Sequence, residues 1–180
     1  LMLIVFLPLI AAIAVLIKID SKGPVFFSQE RVGEKGKTYH VHKFRSMADD
    51  AEDQSGPVWA ESDDDRVTRV GKFIRRFRID EIPQLYNVLK GEMSFVGPRP
   101  EREYFVKQLE DLIPYYTIRH TVRPGITGWA QVCYGYGASV EDAVEKLNYD
   151  LFYIKNMTTL MDIMIIMRTI KIVLFSKGAR

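Results

Sequence analysis

Phe77-Arg78-Ile79-Asp80-Glu81-Ile82-Pro83-Gln84-Leu85 joins a basic segment to an apolar helical pattern and carries two adjacent carboxylates. Arginines precede the pair, and Pro83 falls where a first helical turn tolerates proline. A helix N-terminus favours both carboxylates and phosphates, because its N–H groups are unpaired and carry partial positive charge. The stretch therefore predicts a phosphate-handling site at the start of a helix over 81–89, which Lys90-Gly91 is predicted to end. A plain N-cap followed by a first-turn acid explains the pair equally well.

The composition sets limits on the kind of protein. A length of 180 residues predicts one domain, and a net charge of +2 does not favour nucleic acid as a partner. With Cys133 as its single cysteine, the chain has no intrachain disulfide and suits a reducing compartment. His40, His42 and His120 lack the ligand spacing of a structural zinc site.

The first 17 residues are almost entirely apolar, with Pro8 in the middle. As a helix they would reach about 26 Å, slightly less than the ~30 Å hydrocarbon core of a bilayer. Positive charge follows the run at Lys18 and Lys22, which is not the order of a signal peptide. A spanning anchor, a buried soluble helix and a re-entrant helix that bends at Pro8 remain open, and length and proline favour the last. The abrupt start at Leu1 suggests a fragment of a longer chain.

The rest of the chain alternates short strands and helices. Strands at 25–32 and 38–44 are predicted to form a hairpin, and 103–112 is predicted to be helical. Ser139 is a credible N-cap, with Asp142 three residues on as an imperfect capping box, for a helix that starts at about Val140. This long helix, with a break near Asn156, is expected to reach Phe175. Its last part, 157–175, fits a helix lying in a bilayer interface, with a soluble core helix as the alternative.

Two arginines stand on stiff backbone. Prolines flank Arg99, and Arg123 precedes Pro124-Gly125 within a stretch, 122–131, that is predicted to be a constrained loop. The planar fork of an arginine makes paired hydrogen bonds with phosphate, so a rigidly held arginine suits phosphate recognition.

Asp63-Asp64-Asp65 resembles the Asp-x-Asp metal signature of nucleotide-sugar glycosyltransferases, although acids in a loop are more often solvated charge. A metal-dependent glycosyltransferase that uses Asp63 and Asp65 is therefore one alternative function. A non-catalytic membrane-surface protein is another. The chain has neither a Gly-x-Gly-x-x-Gly loop nor a P-loop.

Six stretches, taken in order, resemble the monotopic phosphoglycosyl transferases, the bacterial sugar transferases that begin exopolysaccharide and glycan assembly. They are 22–27, 29–33, Lys43-Phe44-Arg45-Ser46-Met47, 78–84, 91–100 and 123–131. Each stretch alone is weak evidence for the family, whereas six stretches in the right order are highly specific to it.

The resemblance implies an α+β fold: a re-entrant membrane helix at 1–19, followed at 20–180 by a small mixed α/β catalytic domain with interfacial amphipathic helices. It implies transfer of a sugar phosphate from a UDP-sugar to polyprenyl (undecaprenyl) phosphate, with Mg²⁺ as cofactor. The active site would face the cytoplasm at the bacterial inner membrane. The resemblance does not determine which sugar is transferred or whether the protein forms a homo-oligomer.

The resemblance also implies roles for single residues. Asp80 would be the nucleophile, Glu81 would hold Mg²⁺ together with Asp80, and four residues would meet the substrate: Arg78, Arg99, Arg123 and Gln131. The chain departs from many relatives at Cys133-Tyr134-Gly135, where they have Asn-Gly-Arg, and at Leu7, where they have serine.

Overall fold

A computed structural model describes residues 2–49, 51, 64–135, 137 and 139–175, with the side chains of 2–4 left out. Seven α-helices, three short 3₁₀ segments and four strands lie in these ranges, and the α-helices and strands are numbered in chain order. They are α1 (Met2–Asp20), β1 (Phe26–Val32), β2 (Thr38–Phe44), α2 (Arg69–Arg76), α3 (Leu85–Lys90), β3 (Ser94–Val96), α4 (Glu103–Leu112), β4 (Gly125–Thr127), α5 (Trp129–Cys133), α6 (Val140–Lys155) and α7 (Thr159–Phe175). The mixture confirms the α+β class.

The predicted hairpin is present. Strands β1 and β2 pair antiparallel from Phe26↔Phe44 to Val32↔Thr38, and a short 3₁₀ turn joins them. Alternate residues of β2 turn inward, so Tyr39 and Val41 are buried on the same face of the strand. Lys43 continues that alternation toward the centre of the molecule.

The helix predicted over 81–89 begins later than expected. Ile79–Gln84 forms a 3₁₀ segment, and the α-helix runs only from Leu85 to Lys90. Pro83 explains the difference, because it lacks an N–H group and disfavours α-helical backbone at the residue before it. Asp80 and Glu81 therefore lie inside a tight 3₁₀ turn. The predicted stop is confirmed at Gly91, whose φ of 78° is a left-handed C-cap.

Part of the stretch predicted as a constrained loop is regular structure. Gly125–Thr127 forms β4, which pairs in parallel with β3, and helix α5 follows directly. The Gly97–Pro100 loop leaves the end of β3, and Arg123-Pro124 leads into β4. The small β3–β4 sheet thus carries both arginine-bearing segments.

The C-terminal helices form as predicted. Ser139 and Asp142 make a complete capping box at the start of α6, and the chain breaks at Asn156 before α7. Tyr153, Met161 and Ile165 pack with Val96, which fixes these helices against β3.

Helix α1 packs only part of its surface on the domain. Ile13 and Ile17 are buried against Phe44 and Ile74, whereas Val5, Val15, Leu16 and Ile19 are exposed. No helix among the described residues is both long and apolar enough to cross a bilayer. The re-entrant course of α1 remains a prediction.

Candidate active site

Two neighbouring carboxylates are buried at the centre of the domain. Asp80 is 9% exposed and Glu81 is 6% exposed. Arg78, at the start of the 3₁₀ segment, has left-handed backbone with a φ of 53°. Buried carboxylates are costly unless charged partners or hydrogen bonds offset the lost hydration. The surroundings of the pair therefore decide what each carboxylate can do.

Glu81 is surrounded by cations from three parts of the chain. Its Oε1 accepts hydrogen bonds from Arg99 Nη2 at 3.0 Å and from Lys43 Nζ at 3.4 Å. Arg78 Nη1 lies 3.7 Å from Oε2. Burial alone would raise the pKa of Glu81, but Arg99, Lys43 and Arg78 outweigh it and hold the pKa well below its ordinary value. Glu81 is therefore ionised at neutral pH.

Asp80 has a different environment one residue away. No hydrogen bond or ion pair to its side chain is formed within the part of the chain that the structure describes. Burial, reinforced by the charge of Glu81, raises the pKa of Asp80 to about 6. Lys43, Arg99 and Arg75 limit this rise. Asp80 is thus a buried carboxylate that ionises near neutral pH, with a side chain not engaged by a structural partner.

The structure brings four of the six predicted site residues together and leaves two apart. Asp80, Glu81, Arg78 and Arg99 form one cluster. Arg123 instead points toward the hairpin turn, with its Nε 3.5 Å from Glu34 Oε2. Gln131 donates its Nε2 hydrogen bond to the carbonyl of Ile126. Within the described ranges, neither residue forms a hydrogen bond or ion pair with the carboxylate pair.

Lys43 belongs to the cluster and was missed as a site residue by sequence reasoning. Burial lowers the pKa of Lys43, and the charge of Glu81 works in the opposite direction. The sequence pattern could have identified Lys43, because it follows Tyr39 and Val41 on the inward face of a predicted strand. A lysine at an inward strand position needs a charged partner.

The cluster fits a divalent cation when it arrives with an anionic substrate. Mg²⁺ is commonly held by one or two carboxylates together with substrate phosphates, and Asp80 and Glu81 supply two carboxylates. Arg78, Arg99 and Lys43 leave the surroundings positive, which favours a cation already paired with phosphate. No group of three potential His, Cys, Asp or Glu ligands occurs in the described ranges.

The alternative metal signature is only partly visible. Asp63 lies outside the described residues. Asp64 accepts hydrogen bonds from Arg66 through both carboxylate oxygens, and this pairing lowers its pKa. The carboxylate of Asp64 is therefore already neutralised by a neighbouring arginine.

Comparison with known proteins identifies the family to which the chain belongs. A family model described as bacterial sugar transferase matches residues 1–176, nearly the whole length. The chain belongs to the bacterial sugar transferase family. The resemblance drawn from the six sequence stretches is confirmed.

Several curated proteins of this family are similar to the chain. UDP-N-acetylgalactosamine-undecaprenyl-phosphate N-acetylgalactosaminephosphotransferase of Aeromonas hydrophila is 52% identical over 97% of the chain and 41% of its own length. Undecaprenyl-phosphate glucose phosphotransferase of Komagataeibacter xylinus is 44% identical over 99% of the chain and 35% of its own length. Exopolysaccharide production protein PSS of Rhizobium leguminosarum bv. phaseoli is 42% identical, over 93% of the chain and 86% of its own length.

The chain thus spans well under half the length of the first two relatives. Their matched region is the part that this bacterial sugar transferase domain represents.

Proposed function

We propose that this domain transfers a sugar phosphate from a UDP-sugar to undecaprenyl phosphate, through a covalent intermediate on Asp80. The observation that carries the proposal is the contrast within the pair: Glu81 is engaged by three cations, whereas Asp80 is buried and has a raised pKa. Relatives named as undecaprenyl-phosphate sugar phosphotransferases support the substrate class. The reaction would begin exopolysaccharide or glycan assembly.

The positive side chains account for donor binding. A diphosphate carries repelling negative charges, and Arg99, Lys43 and Arg78 can offset them where they develop in the transition state. Glu81 holds these cations around the pair and keeps them oriented before the donor arrives. Asp80 and Glu81 would hold Mg²⁺ with the donor, and the bound ion would neutralise further charge on the diphosphate oxygens.

Asp80 then supplies the nucleophile. Its carboxylate oxygen attacks the β-phosphorus, the bond from that phosphorus to the bridging oxygen breaks, and UMP leaves with the bridging oxygen. An oxygen of the lipid phosphate next attacks the same phosphorus, and the bond to Asp80 breaks. The soluble donor and the lipid acceptor thereby use one site in turn.

Location follows from the proposed acceptor, a lipid. We place the domain at the cytoplasmic face of the bacterial inner membrane, with α1 as a re-entrant helix and α7 in the interface. The exposed apolar side chains on both helices support this placement.

The test is a covalent adduct. After exposure to UDP-sugar alone, the intact mass of the protein should rise by one sugar phosphate, and peptide mapping should locate the increase on Asp80. Asp80→Asn should fold, acquire no adduct and lose transfer, whereas the exposed Asp65→Asn should retain both. Full transfer by Asp80→Asn would overturn the proposal.

The released nucleotide separates this function from the alternatives. A phosphoglycosyl transferase releases UMP, a glycosyltransferase that uses Asp63 and Asp65 releases UDP, and a non-catalytic membrane-surface protein releases neither. A panel of UDP-sugars, each with undecaprenyl phosphate present, therefore tests the reaction and identifies the sugar. UDP as the main product would replace the proposed mechanism.

A further inference from the structure

The loop that carries Arg99 is held through its carbonyl oxygens. Four consecutive residues, 98–101, each accept a hydrogen bond from a different donor residue elsewhere in the chain. The pairs are Gly125 N to Pro98 O at 3.0 Å, Arg119 Nη2 to Arg99 O at 2.8 Å, Arg31 Nη1 to Pro100 O at 3.2 Å and Val32 N to Glu101 O at 2.9 Å. The backbone at Arg99 itself is held by a side chain.

That side chain is part of a buried network. Arg119 is 8% exposed, and its Nη2 lies 2.9 Å from Oδ2 of Asp150, which is 1% exposed on α6. Arg119 Nη1 also donates to the hydroxyl of Tyr116. The guanidinium therefore joins helix α6, the 3₁₀ segment Tyr116–Thr121 and the Arg99 loop. None of these contacts reaches Asp80 or Glu81 directly.

We propose that Arg119, oriented by Asp150 and Tyr116, is a positioning residue that holds Arg99 where its guanidinium meets Glu81 and the donor phosphate. The inference rests on the proposed function, since it assumes that Arg99 binds that phosphate. It adds a role for a buried ion pair that the reaction itself does not use.

The two prolines that flank Arg99 couple the position of its carbonyl to the position of its side chain. Pro98 and Pro100 restrict the backbone on both sides of Arg99, so a shift at the Arg99 carbonyl moves its side chain as well. The Arg99 side chain is 40% exposed, and its guanidinium donates a hydrogen bond to Glu81. Without Arg119, the carbonyl of Arg99 would lack its side-chain donor. A misplacement of about 1 Å in such a group can cost on the order of 100-fold in rate.

A double-mutant cycle tests the coupling. Arg119→Lys keeps a positive charge beside Asp150, but its single nitrogen cannot reproduce the three contacts of the guanidinium. We expect kcat/KM for the UDP-sugar, measured by UMP release, to fall about tenfold or more. In an Arg99→Ala background the same change should have little further effect, because Arg119 acts through Arg99.

A second buried arginine supplies the matched control. Arg45 is 4% exposed and donates to carbonyls of Ser21 and Lys22, at the end of α1 rather than on the Arg99 loop. Any loss caused by Arg45→Lys should be of the same size in the wild-type and Arg99→Ala backgrounds. Thermal unfolding of every variant reports whether the fold is retained.

Each outcome decides one question. Equal losses for Arg119→Lys in both backgrounds would overturn the positioning role, and full activity of Arg99→Ala would instead overturn the proposed phosphate contact. If Arg119→Lys does not fold, the charge-neutral Arg119→Met/Asp150→Asn variant replaces it, since it leaves no buried charge unpaired. Failure of both variants to fold would assign the network to stability alone and also overturn the proposal.

Discussion

Asp80 and Glu81 are adjacent carboxylates with opposite pKa shifts. The pKa of Asp80 is raised to about 6 by burial and by Glu81, whereas Arg99 and Lys43 keep that of Glu81 low. Groups whose environments separate their pKa values in this way commonly divide a catalytic task between them. Here the low-pKa member organises the cations, and the raised-pKa member is available to react.

The raised pKa predicts that Asp80 destabilises the fold at neutral pH. Between about pH 4, the ordinary value in an unfolded chain, and about pH 6, the native state binds the extra proton, so the free energy of unfolding falls as pH rises through this window. Asp80→Asn removes the penalty. We expect its free energy of unfolding to exceed that of wild type by about 1–3 kcal/mol at pH 7, with no gain at pH 4, measured by urea unfolding.

Glu81→Gln is the matched control and should have the opposite sign. It leaves Arg99, Lys43 and Arg78 without their carboxylate partner. These cations are partly exposed, so a loss of about 1–3 kcal/mol is expected, below the ~3–5 kcal/mol of a fully buried pair. A stabilised Glu81→Gln or a destabilised Asp80→Asn would contradict the assignment of the two environments.

The same pKa predicts how activity depends on pH. In the proposed reaction Asp80 must be ionised to attack, and a group with a pKa of about 6 is roughly tenfold less ionised at pH 5 than at pH 7. The rate constant for adduct formation under kcat/KM conditions should fall about tenfold over this range. Circular dichroism at both pH values controls for unfolding. A flat profile would show that the ionisation of Asp80 does not limit the reaction.

At the scale of elements, the β3–β4 sheet positions the Arg99 loop through close backbone contact. A Cβ atom added to Gly125 would overlap the backbone of Gly97 and Thr127, and one added to Gly97 would overlap the carbonyl of Arg123. Only glycine allows these segments to approach so closely. The two-stranded sheet therefore requires glycine at positions 97 and 125.

Gly125→Ala should consequently disturb both stability and catalysis. Overpacking costs typically about 1–3 kcal/mol, and the strand cannot shift without moving the Arg99 loop. We expect a lower melting temperature and a lower kcat/KM for the UDP-sugar. Gly135→Ala is the control, because no atom of the described residues lies within 4 Å of a Cβ added there. Equal behaviour of the two variants would contradict the role assigned to the sheet.

At the scale of the whole molecule, large apolar side chains remain exposed along helices that also help to build the core. In α7, Ile165 is fully buried, whereas four residues at helical spacing are more than half exposed: Leu160, Ile163, Met167 and Leu174. In α1, Ile17 is buried and Ile19 is exposed. Exposed apolar surface of this kind marks an interaction site, and a lipid acceptor makes a bilayer the proposed partner.

Lysines on the exposed face of α7 should weaken that interaction without unfolding the protein. Ile163→Lys/Met167→Lys should bind zwitterionic phosphatidylcholine vesicles at least about tenfold more weakly, since apolar area is lost and charge enters the interface. Gln108→Lys/Thr117→Lys adds the same charge at exposed polar positions and should bind as wild type does. Vesicle flotation measures both variants. Unchanged flotation of the α7 variant would contradict an interfacial α7.

Local patterns in the chain were sufficient for much of the fold. Alternation over 25–44 predicted the hairpin, Ser139 and Asp142 predicted the start of α6, and Gly91 predicted the end of α3. Each signal acts over a few residues, through side-chain direction or capping. The carboxylate pair and Arg99 were likewise found from their neighbours in the chain, and family resemblance supplied their proposed roles.

Tertiary structure decided what residues far apart in the chain do together. It brought Lys43 and Arg99 onto Glu81, directed Arg123 toward Glu34, and placed Arg119 and Asp150 behind the Arg99 loop. It also paired β4 with β3 in parallel, which no local pattern indicated. The sequence by itself determined which side chains could form a phosphate site, because charge and backbone preference are local. Only burial and long-range contact decided which carboxylate is paired with cations and which is buried without a hydrogen-bond partner among the described residues.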